Sequence, residues 1–169
     1  MKCFGLYFLL LFVPLAIFAS TPIEIAEGYL GQRETEGFNR SPFIDRINSF
    51  CGVELGSPYC ASFVSWCFYQ ANRKAPISAY SPDWFRKNLV SFKDIQPNDV
   101  CGIFFPSKGR IAHVGIITGR QGNFLTLIEA NTAPEASDLS AKSREGDGVF
   151  RRLRPNTLLE QPRNKFSRW

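Results

Sequence analysis

The chain has 169 residues, with 20 Lys or Arg against 15 Asp or Glu, a single histidine and a formal net charge of +5. That length suits one domain. The mild positive balance suits an anionic partner, but the chain has no nucleic-acid reading motif and no basic-aromatic stacking pattern, so no nucleic-acid partner is expected. With one histidine and no C-x-x-C pair the cysteines fit no zinc pattern, and neither a metal nor an organic cofactor is expected.

Residues 1–20 read as a cleaved secretory signal. Lys2 supplies a positive start, Phe4 to Phe18 is an apolar run broken only by Gly5 and Pro14, and Ala19 and Ser20 precede Thr21-Pro22. The run is short for a membrane span. Cleavage near Ala19–Thr21 leaves a secreted or periplasmic domain over residues 21–169, charge +4 once Lys2 is gone, with no stable membrane span and expected to be monomeric. Four cysteines survive maturation: Cys51, Cys60, Cys67 and Cys101. An oxidising compartment permits disulfides, and Cys51 with Cys101 is a candidate pair.

Four Ser/Thr-Pro pairs punctuate the first half: Thr21-Pro22, Ser41-Pro42, Ser57-Pro58 and Ser81-Pro82. Each reads as a helix start, the hydroxyl as cap and the proline in the first helical position. Glu24 completes a capping box with Thr21. Phe43, Ile47 and Phe50 mark an apolar stripe on the second helix. Cys60, Phe63, Val64, Cys67 and Ala71 mark one on the third, and Trp84 and Phe85 anchor the fourth. After Asn88 the pattern changes to strands over Val100–Phe105, Ala112–Thr118, Phe124–Ala130 and Gly148–Leu153, with turns at Gly109, Gly119 and Gly122 and a polar loop over 132–147. Helices followed by strands argue for an α+β fold with an antiparallel sheet.

Three separated residues carry chemistry. Cys60 falls in the first turn of the third helix if Ser57 caps it. There the helix dipole and free N–H groups lower a thiol pKa and can hold an oxyanion. Cys67, one face-repeat deeper, reads as core. His113 lies in the run Ile111-Ala112-His113-Val114-Gly115-Ile116-Ile117. If Thr118 faces Phe124 across a hairpin, His113 faces Glu129, and Asn131 points to the same side. A one-residue slip would invert that. In this register Glu129 or Asn131 holds one imidazole nitrogen while the other takes the thiol proton.

The blocks Tyr59-Cys60-Ala61-Ser62-Phe63-Val64-Ser65-Trp66, Ala112-His113-Val114-Gly115-Ile116 and Ile128-Glu129-Ala130-Asn131 resemble the CHAP family of cysteine- and histidine-dependent amidohydrolases and peptidases, relatives of the NlpC-type papain-like peptidases. Asn39-Arg40, Pro97-Asn98-Asp99-Val100 and Gly146-Asp147-Gly148-Val149-Phe150-Arg151 add weaker matches. Ala112 and Asn98 depart from the pattern, standing where relatives commonly carry glycine. The resemblance implies a papain-like fold, N-terminal helices packed on an antiparallel sheet. It also implies Cys60 as nucleophile, His113 as general base, Glu129 as orienting group and Asn131 as an auxiliary. Asp99 reads as a turn residue. The expected function is a secreted peptidoglycan hydrolase cutting amide bonds, as an N-acetylmuramoyl-L-alanine amidase or a stem-peptide or crossbridge endopeptidase. The alternatives are a catalytically silent wall- or partner-binding module on the same scaffold and an antibacterial amidase effector.

Overall fold

In the computed structural model, residues 20–134 and 146–169 are described. The expected signal peptide and the centre of the polar loop over 132–147 therefore lie outside the described residues, apart from Ser20 and the loop's two ends. Helix α1 (Pro22–Glu27) starts on the capping box expected from Thr21 and Glu24. Helix α2 (Pro42–Phe50) is capped by the Ser41 hydroxyl. Its buried stripe is Ile44, Ile47 and Asn48. Phe43 and Phe50 flank that stripe, half-buried. Phe43 stacks on Tyr29 at 4.4 Å and Phe50 packs edge-on against Trp66 at 5.4 Å between ring centres.

Helix α3 (Cys60–Gln70) departs from the expected start. Its N-cap is Tyr59, which makes no side-chain cap bond. Ser57 and Pro58 belong instead to the turn before it. That turn is held by two buried asparagines: Asn39 Nδ2 donates to the Gly56 carbonyl and Asn48 Nδ2 to the Ser57 carbonyl, both at 2.9 Å. Cys60 is thus the first helical residue, two positions closer to the open end than a Ser57 cap would place it. A 3-10 turn over Ser81–Phe85 takes the place of the fourth helix. Trp84 anchors it, wholly buried against Phe68.

The strands are β1 (Leu89–Val90), β2 (Val100–Phe105), β3 (Arg110–Gln121), β4 (Phe124–Thr132) and β5 (Gly148–Pro155), followed by a helical turn α4 (Asn156–Leu159) and β6 (Lys165–Ser167). They form one antiparallel sheet in the order β1-β6-β2-β3-β4-β5. The fold is α+β. One apolar cluster joins Val100, Val114, Ile116, Ile128 and Ala130 to residues of the three N-terminal helices. A second joins Cys101, Ile117, Leu125 and Leu127 to Leu159 and Phe166. The two clusters alternate along the strands, as the period of two requires.

Among the described residues no helix is long and apolar enough to cross a membrane. All four described cysteines are free, so the candidate Cys51–Cys101 pair is not formed; Cys101 is buried in the second cluster.

Candidate active site

The β3–β4 hairpin sets the site, in a register that differs from the expected one. Gln121 pairs with Phe124 around a turn whose Gly122 has φ 55°, and a bulge between Ile117 and Gly119 shifts the strands again. As a result Glu129 pairs with Gly115 rather than with His113. His113 is two residues along β3 from Gly115, so it shares the face of Glu129 and meets it diagonally. The missing side chain of Gly115 makes that diagonal passable. A Cβ there would stand 2.6 Å from Glu129 Cγ, far inside contact distance.

The result is a short bond between wholly buried groups. His113 Nε2 lies 2.8 Å from Glu129 Oε2. The carboxylate is also gripped by Arg154 from β5, whose Nε donates to Oε1 at 2.9 Å and Nη2 to Oε2 at 2.6 Å. Burial would raise the Glu129 carboxyl, but the Arg154 and His113 charges and their hydrogen bonds hold it far below the usual carboxylate range. Glu129 is therefore a fixed anion beneath the imidazole.

With Nε2 committed to Glu129, Nδ1 is the nitrogen left for the thiol. It has no well-aligned bond of its own, and the ring is coupled to the Cys60 sulfur. Burial pulls the His113 pKa down, but the Glu129 charge, the contact with Cys60 and the bond to Glu129 raise it to about 9. For Cys60 burial pushes the thiol up. The His113 contact and charge, the Ser81 hydroxyl and the Val114 N–H outweigh it and bring it below its ordinary value. Burial pushes the thiols of Cys67 and Cys101 the other way, so Cys60 differs from its buried neighbours in electrostatics and not in exposure. The pair thus favours thiolate with imidazolium. The first-turn N–H groups of α3, at the helix end that carries Cys60, receive no side-chain cap from Tyr59.

The expected residues Cys60, His113 and Glu129 converge. Asn131 does not join the ring. It occupies a second bulge in β4, between Ala130 and Thr132, with φ 56°. Its buried backbone N–H faces the Tyr59 hydroxyl. No hydrogen bond links it to His113.

Three contributors were not expected from sequence. Arg154 belongs to the basic run Arg151-Arg152-Leu153-Arg154, which carries much of the positive charge. Yet strand alternation puts Arg152 and Arg154 on one side, and both are buried. Ser81, read as a helix cap, brings its Oγ to 3.8 Å from Cys60 Sγ. Arg110 lines the same cleft as Cys60, a hollow of about 260 Å³ walled also by Val53, Ser57, Pro58, Tyr80 and Ala112. Asp99 is structural, as expected: buried, it takes a two-pronged bond from Arg168 at 2.8 Å and caps the turn through the Gln96 N–H. Among the described residues no group of three or more His, Cys, Asp or Glu side chains is placed to hold a metal ion.

No protein-family profile matches the chain, and no curated protein matches it. Among solved structures, a crystal structure of a protein described as similar to lipoprotein, NLP/P60 family, from Staphylococcus aureus subsp. aureus Mu50 is similar over 76% of this chain and 34% of that one. The identity is 16% and the TM-score 0.44. This chain therefore spans about a third of the length of that protein.

Proposed function

We propose that the protein is an exported, papain-like cysteine amidohydrolase that cuts amide bonds in peptidoglycan. The observation that carries the chemistry is the convergence of Cys60, His113 and Glu129, with the ring held between carboxylate and sulfur and Cys60 lining a cleft. The substrate class rests on the CHAP-like cysteine and histidine blocks, and export on the apolar N-terminal run.

In the resting site the thiol proton sits on the imidazole, stabilised by the anion of Glu129. The Cys60 thiolate attacks the amide carbonyl, forming a C–S bond and moving the carbonyl electron pair onto oxygen. The free N–H groups at the start of α3 receive that oxyanion. The imidazolium gives its proton to the departing amine as the C–N bond breaks. Water, losing a proton to the neutral imidazole, then clears the thioester and restores the pair. Glu129, pinned by Arg154, fixes the tautomer and the ring plane throughout. The position of Asn131, off the ring, leaves it outside these steps.

The test is digestion of purified peptidoglycan followed by mass spectrometry of the fragments, which reads the bond from the new termini. Cys60→Ala and His113→Ala, each checked for native fold by circular dichroism, are expected to yield no new termini. Turnover persisting in either folded variant would remove the assignment.

A further inference from the structure

The cleft that Cys60 lines carries a single charged side chain among the described residues, and it is a cation, Arg110. Its guanidinium lies over the Tyr80 ring, 5.0 Å from the centroid, and Nη1 donates to the Ile111 carbonyl at 2.9 Å. Those contacts fix the plane of the group while using one donor. Among the described residues no carboxylate pairs with it, in contrast to Arg40 and Arg168, each of which grips an aspartate. Arg110 also sits on β3, three residues before His113, so the strand that positions the base positions this cation too. A half-buried, stacked, planar fork with open donors is the arrangement that receives a planar anion.

We infer that Arg110 is a specificity residue, binding a carboxylate that the substrate carries beside the scissile amide. The inference rests on the amidohydrolase reading for the identity of the bond cut, but not for the charge preference of the cleft. A peptide bearing a free carboxylate near the cut would be drawn in and oriented. The amidated peptide would lose that contact and leave a guanidinium facing a neutral group.

The charge preference can be read without any wall substrate. Iodoacetate and iodoacetamide alkylate a thiolate by the same displacement of iodide, and differ in carrying a carboxylate or an amide. Their rates at Cys60, mapped by mass spectrometry on the whole protein, give a ratio for the native cleft. Arg110→Gln is expected to lower the iodoacetate-to-iodoacetamide ratio about fivefold, the range of a partly exposed ion pair, with the iodoacetamide rate unchanged. An unchanged ratio overturns the inference. On wall fragments the same variant is expected to raise KM for peptides with a free carboxylate next to the cut and to leave their amidated counterparts unaffected. A shifted ratio with no wall cleavage by the native protein would uphold the carboxylate site and sink the peptidoglycan reading. Wall cleavage with neither ratio nor KM moved in Arg110→Gln would do the reverse.

Discussion

The carboxylate of Glu129 reaches the ring of His113 across the bare backbone of Gly115, its partner on the neighbouring strand. The carboxylate–imidazole bond thus depends on a residue that has no side chain to offer. Gly115→Ala would put a Cβ 2.6 Å from Glu129 Cγ and 3.2 Å from the Ile128 carbonyl. The carboxylate must then move, at a cost of about 1–3 kcal/mol in stability. Turnover is expected to fall on the order of 100-fold, as for an ångström-scale misplacement of a catalytic group. Gly119→Ala is the control, since a Cβ there meets Thr126 Oγ1 at an ordinary 3.5 Å. Hydrolysis rates and urea melts of the two variants check the expectation. Equal behaviour would show that Glu129 does not need the passage.

What was legible in the sequence was what depends on local chemistry. The caps of α1 and α2 follow from Thr21-Pro22 and Ser41-Pro42 with their neighbours. The same signature failed at Ser57-Pro58 because Asn39 and Asn48, distant in sequence, capture the carbonyls of Gly56 and Ser57. The cysteine–histidine meeting was legible because only one imidazole exists. The register was not: a bulge is a decision of the whole sheet, and the one at Ile117/Gly119 moved Glu129 opposite Gly115. Strands β1 and β6 are too short to leave a period. Asn98 stands at φ 72°, a left-handed conformation that asparagine tolerates better than most residues. Arg154 was hidden in a basic run because an inward-facing arginine announces itself only through its partner.

That partnership predicts acid sensitivity. Glu129 has a folded pKa far below its unfolded one, so its stabilising contribution is present above the ordinary carboxylate value, about 4.3, and is lost as pH falls toward the folded value. Arg154→Met leaves Glu129 buried with His113 as its remaining charge partner. It is expected to cost about 3–5 kcal/mol at neutral pH. Because the depression of the carboxyl shrinks, acid unfolding should also begin at higher pH. Denaturant melts from pH 7 down to pH 3 read both effects. A variant as stable as the native protein across that range would show that the pair does not hold β5 to β4.

The histidine sets the opposite limb. Its pKa, raised from 6.5 to about 9, gives a contribution to stability that is full below about 6.5 and disappears as pH rises through about 9. Turnover belongs to the thiolate–imidazolium pair and should be lost on the alkaline side near 9, whereas Cys60 alkylation follows formation of the thiolate alone and persists above it. Glu129→Gln removes the anion that raises the ring. Its alkaline limb is therefore expected to move to lower pH, and its Cys60 thiol to titrate higher. Profiles of kcat/KM and of iodoacetamide reactivity against pH check this. An alkaline limb that stays in place would separate Glu129 from the ring's titration.

Ser81 offers a finer probe of the sulfur. Its Oγ lies 3.8 Å from Cys60 Sγ, and its hydrogen bond is among the groups that lower the thiol pKa. It belongs to the turn anchored by Trp84, so replacement of the hydroxyl alone leaves that packing in place. At 3.8 Å the contact with the sulfur is an ordinary hydrogen bond, with a net contribution of about 1–1.4 kcal/mol. Ser81→Ala is accordingly expected to slow iodoacetamide labelling of Cys60 by roughly five- to tenfold at pH below the thiol's own titration, where thiolate is scarce. At pH above that titration native and variant rates should converge, because the thiolate is then fully formed in both. The alkaline limb, governed by His113, should not move. Rates reduced by the same factor at every pH would mean that the hydroxyl shapes access to the cleft and does not stabilise the anion.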